Sequence, residues 1–155
     1  MLILADIGFD APRRLLARYR LELIQVEQHA PIPGSFWGEC EAGVIGNNVY
    51  ARNDTPVHSL LHEASHLIVL PEEKRAEVHT DATDSVAEED AVCILQALLG
   101  DELPGVGRDR IWADMDEWGY TFRLGSAKAY FENDASDAFA FLMALGLINT
   151  GQQLR

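Results

Sequence analysis

The chain has 155 residues, 48% of them hydrophobic, with a formal net charge of -13 and two cysteines. That length and apolar content suit one domain, residues 1–155, with a proper core; the charge argues against gripping a phosphate backbone, and two cysteines build no disulfide framework. Apolar runs stay well short of the ~18 residues of a membrane span, and Met1-Leu2-Ile3-Leu4-Ala5-Asp6 lacks a basic n-region, so no membrane contact, no export signal and a cytoplasmic setting are expected.

In chain order, Asp10-Ala11-Pro12 opens a first helix with Leu15, Leu16 and Tyr19 on one side. Arg13, Arg14, Arg18 and Arg20 are the local positive cluster and read as a solvated face. Residues 21–27 mix β-branched and charged side chains and predict a strand. Residues 30–35 form a Pro/Gly loop, after which Phe36 and Trp37 are expected in the core. Residues 43–52 are strand material, with a tight turn or bulge at Gly46-Asn47.

Next comes a helix with clear punctuation. Thr55 is a good N-cap, Pro56 suits the first helical position, and Pro71 stops the run after Leu70. At about 100° per residue, Val57, Leu60, Leu61, Ala64, Leu67 and Ile68 form an apolar face. His58, His62 and His66 form a stripe roughly opposite, turned toward a cleft or a second helix. Within it, His62-Glu63-Ala64-Ser65-His66 spells H-E-x-x-H. Imidazoles four residues apart stand one above the other on a helix, so one tetrahedral Zn²⁺ can take both. Glu63, beside the first histidine, is placed to act as general base on a water there.

A catalytic zinc usually has three protein ligands, and residues 84–100 predict the helix that supplies the third. Asp84 or Ser85 caps it and Gly100 ends it. Glu88 falls on the face of Ala91, Val92, Leu95, Leu98 and Leu99. A buried carboxylate needs a partner, so Glu88 is the preferred third ligand with His62 and His66. Glu89, beside Cys93 and Gln96 on the side read as nearer solvent, is the alternative. His79, in the polar run before this helix, is a further rival. Cys93 itself reads as helix packing, and neither it nor Cys40 is a favoured ligand.

Beyond a loop at 104–107, residues 108–118 predict a helix ending at Gly119, with Ile111, Met115 and Trp118 in the core. Residues 126–131 and 135–147 predict two more helices, the last buried through Ala138, Phe139, Leu142 and Met143. There are no internal repeats and no Gly-rich phosphate loop. One helix, a few strands and then mostly helices make an α+β domain.

H-E-x-x-H followed by a helix bearing E-x-x-A resembles the gluzincin pattern of zinc metallopeptidases. T-P-x-H-S-L-L-H-E-A-S-H-L-I (55–68) and the helix at 88–99 resemble the compact ImmA/IrrE-type peptidase domain, over residues 43–99. Ser65 stands where that family usually has Gly, and no DNA-binding helix-turn-helix is found, so its regulatory partners are not carried over. The resemblance implies a zincin-like fold. It has a small mixed sheet whose edge strand, within residues 44–52, packs beside the motif helix and pairs with an extended peptide substrate. It also implies peptide-bond hydrolysis at zinc held by His62, His66 and Glu88, with Glu63 as general base. A second oxyanion donor would come from Tyr120, Tyr130, His58 or His79. Other readings are a non-catalytic zinc protein with His79 or a cysteine as fourth ligand, and an interaction module that keeps the shape alone. Oligomeric state stays open.

Overall fold

The computed structural model describes residues 1–36, 40–80 and 85–155, and these form an α+β fold. Two short helices, α1 (Leu4–Ile7) and α2 (Asp10–Ala17), lead into strand β1 (Glu22–Gln25). Strands β2 (Gly43–Ile45) and β3 (Asn48–Ala51) form a hairpin around Gly46-Asn47. Gly46 has φ +60, the left-handed value that a two-residue hairpin turn asks of glycine. The expected tight turn is therefore present.

The sheet runs β1-β3-β2, with β1 parallel and β2 antiparallel to β3. The strand directly before the motif helix is thus the central one, not an edge. β1 and β2 are the edges, and the outer side of β2 is already engaged. Thr80 N–H donates to Val44 O at 2.9 Å and Gly46 N–H to Val78 O at 2.9 Å. On the same strand Val44 N–H reaches Gly34 O at 3.3 Å. The crossing is close: a Cβ on Gly43 would lie 2.0 Å from Pro33 O.

Helix α3 (Val57–Val69) carries the motif and packs on the sheet with one side. It begins one residue later than the capping rule predicts. The Thr55 hydroxyl does not cap it; it accepts from Arg52 N–H at 2.9 Å, holding the turn out of β3. Pro56 O accepts the first helical hydrogen bonds, from Ser59 and Leu60 N–H. After Leu70, a 3-10 segment at Glu72–Glu77 buries Arg75, whose guanidinium donates to Leu67 O and Tyr19 O, both at 2.9 Å.

Helix α4 (Val86–Gly100) lies against α3, α5 (Gly107–Trp118) and α7 (Ser136–Ala144). Ser85 caps it, its Oγ accepting from Glu88 N–H at 3.1 Å; Asp84 lies outside the described residues. From Ala91 to Gly100 only Cys93 is not fully buried. Such a helix has no solvent face for most of its length. Helix α6 (Ala127–Asn133), capped by Ser126, completes the helical C-terminal half. Gly119, at φ 110, ends α5 as expected.

Three expected core positions are not buried. Phe36 is 68% exposed, Trp118 41% and Met143 38%. Phe36 belongs to the loop before β2, and Met143 sits in the last turn of α7. Trp37 lies outside the described residues. Among those described, no helix is long and apolar enough to cross a membrane.

Candidate metal centre

The histidine stripe of α3 faces α4, and there three side chains converge. His62 Nε2 and His66 Nε2 lie 3.2 Å apart. Glu89 Oε1 is 3.0 Å from His62 Nε2, and Glu89 Oε2 is 3.2 Å from His66 Nε2. Two donors bound tetrahedrally to zinc at about 2.0–2.1 Å stand roughly 3.3 Å from each other. The observed separations match that edge length closely. All three groups offer lone pairs, and a shared proton or a bound cation brings such groups this close. The residues present therefore fit a zinc ion.

The carboxylate beside the histidines belongs to Glu89, not to the expected Glu88. Helical projection placed the stripe of Glu89, Cys93 and Gln96 toward solvent because it assumed one buried face for α4. The helix is buried on two sides, and this stripe is the one turned to α3: Gln96 is 0% exposed. Glu88 lies in the first turn, its backbone N–H satisfied by Ser85. His79 is exposed, with Nδ1 2.9 Å from Thr80 Oγ1 and its backbone bridged to Ile45. Neither Glu88 nor His79, nor either cysteine, joins the cluster, and neither cysteine is in a disulfide.

Burial would raise the Glu89 carboxyl, but hydrogen bonds from His62 and His66 overcome it and hold the group well below the usual range. For His62, burial works against the charged ring, and Glu89, Glu63 and Gln96 together outweigh it and raise its pKa. Glu63 stands on α3 between the two histidines. Burial raises its pKa, the charges of Glu41 and Glu89 add to that, and His62 and His66 pull the other way. A carboxylate lifted toward neutrality is a better proton acceptor than an ordinary one.

Around this cluster lies a layer of which the motif gives no hint. Gln96 places Oε1 3.0 Å from His62 Nδ1, while its Nε2 donates to His58 O at 2.8 Å. The same Nε2 lies 3.4 Å from the Tyr120 hydroxyl. The Tyr120 ring packs edge-on to His62 at 5.5 Å between centroids. Burial keeps its phenol far above the ordinary pKa, with Gln96 offsetting only part, so the hydroxyl retains its proton. Of the four expected oxyanion donors, Tyr120 is brought beside the histidines. Tyr130 stacks on Phe122, and His58 is walled in by Trp118 and Tyr120. The available signal for Gln96 was an amide in an otherwise apolar stretch, two turns beyond Glu89 on one stripe.

No protein-family model, curated protein or solved structure matches this chain.

Proposed function

We propose that the protein is a zinc-dependent hydrolase of metallopeptidase type, with His62, His66 and Glu89 as metal ligands and Glu63 as general base. The observation that carries this reading is the mutual spacing of three donor groups, all within 4.8 Å, on two packed helices. Its fold would then be zincin-like: a motif helix resting on a small mixed sheet and facing a ligand-bearing helix.

Zinc held there would polarise the substrate carbonyl and acidify a water in the remaining position. Glu63 takes the proton of the attacking water on its carboxylate and delivers it to the departing amine. Its burial favours the neutral form and so assists the pickup. Tyr120 keeps its hydroxyl proton and is the side chain available to donate to the oxygen on which negative charge develops. The substrate class is a peptide or protein.

The test uses purified full-length chain. Metal analysis should return about one zinc per chain. Glu63→Gln should keep the zinc and lose hydrolysis of a peptide library by about 10²–10⁴-fold. Glu89→Gln should lose zinc as well as activity. Undiminished turnover in the Glu63→Gln protein would remove Glu63 from its role.

A further inference from the structure

We infer that Gln96 is a positioning residue for the metal centre: its side-chain amide sets the His62 tautomer and ring orientation so that Nε2 faces the metal. This inference rests on the metal reading above and names what prepares the site. The argument begins with the amide itself. A glutamine presents one acceptor end and one donor end, and the two are assigned by their partners. One end of Gln96 lies 2.8 Å from His58 O, a backbone carbonyl that can only accept, so that end is the NH₂. The other end, Oε1, is then the atom 3.0 Å from His62 Nδ1. An amide oxygen can only accept, so Nδ1 must carry the proton. The lone pair of the neutral ring is thereby confined to Nε2, the atom that converges with His66 and Glu89.

The amide cannot easily turn over. Gln96 is fully buried, and flipping it would set its oxygen against the His58 carbonyl and its NH₂ against the Nδ1 proton. Its anchor is the backbone of α3, the same helix that carries His62, so the amide and ring keep their register when side chains move. The Tyr120 hydroxyl lies 3.4 Å from Gln96 Nε2, which ties the phenol to the arrangement. A neutral amide does this without adding negative charge. The cluster keeps a single anionic ligand in Glu89, which leaves more of a bound ion's charge unneutralised than a carboxylate at position 96 would.

The experiment combines ring-nitrogen NMR of zinc-loaded, ¹⁵N-histidine-labelled protein with zinc affinity measured by chelator competition. In the natural protein, His62 should carry its proton on Nδ1 and none on Nε2. Gln96→Leu should weaken zinc about 10–100-fold. Gln96→Met, which keeps length and volume but has no amide, should weaken zinc to the same degree as leucine does. The methionine variant separates positioning from packing, because it fills the space of the glutamine without its amide; affinity close to the parent's would overturn the inference. A deprotonated Nδ1 in the natural protein overturns the inference even if a variant fails to fold. So does a Gln96→Leu protein that binds zinc as tightly as its parent. A natural protein that binds no zinc at all instead removes the metal reading, and this inference falls with it.

Discussion

His58 occupies an unusual position for a histidine. It is 0% exposed, and neither ring nitrogen has a hydrogen-bond partner among the described residues. Its ring lies edge-on to Trp118 at 5.1 Å and to Tyr120 at 5.6 Å. Burial, with the neighbouring His62 charge adding and Asp114 opposing, lowers its pKa to about 4. The unfolded chain therefore takes up this proton near pH 6.5, whereas the folded protein does so only near pH 4. Stability from this group is complete above pH 6.5 and is lost as pH falls toward 4, amounting to about 2 kcal/mol by pH 5. His58→Phe should flatten that part of the slope in urea unfolding at pH 7 and pH 5. His62 is shifted in the opposite direction and has a linkage of opposite sign, so the difference between parent and variant isolates His58. Tyr120 gives a second test at this scale. Tyr120→Phe removes a protonated hydroxyl and should lower kcat by about 10²-fold, with KM little changed. A fall in KM-linked affinity alone would argue for packing instead.

At the scale of elements, α4 decides the site. Ser85 caps its first turn, and Glu89 follows one turn later. Ser85→Ala should cost about 1 kcal/mol of stability, seen as a lower urea midpoint with an unchanged slope. Glu88→Gln should leave zinc affinity as it is, while Glu89→Gln lowers it; equal effects would mean that the first turn rotates on binding. The motif helix was legible because its signals are local: Pro56 before it, Pro71 after it, and the fixed four-residue step between His62 and His66. The carboxylate that α4 brings to the histidines was not, because its identity depends on which side of a doubly buried helix meets α3. Nine residues of α4 are buried, so hydrophobic periodicity carries little direction there. The same limit hid Gln96, whose role exists only once two helices are side by side.

For the whole molecule, the α+β class, the hairpin at Gly46-Asn47 and the helical second half followed from sequence, since each rests on turn chemistry or short-range pattern. Strand order did not, because the place of β1 beside β3 is a long-range pairing with no local signature. Charge also acts at this scale. A net -13 on 155 residues repels itself in the folded state. Raising ionic strength from about 0.01 to 0.15 M shortens the screening length from roughly 30 to 8 Å. Thermal unfolding should then move upward by about 2–4 °C for each kcal/mol of repulsion relieved. A fall in Tm with salt would show that ion pairs such as Arg18–Glu102 outweigh the excess acid.

The outer side of β2 would set a condition on a peptide substrate of the proposed kind. Residues 78–80 already occupy it, through Thr80 N–H to Val44 O and Gly46 N–H to Val78 O. A peptide lying along this strand would have to displace them first. Two net backbone hydrogen bonds are worth about 2 kcal/mol, or roughly thirtyfold in affinity. The protein thus carries its own competitor for that strand, tethered and always at hand, and only a ligand with further contacts near Glu63 would win the exchange.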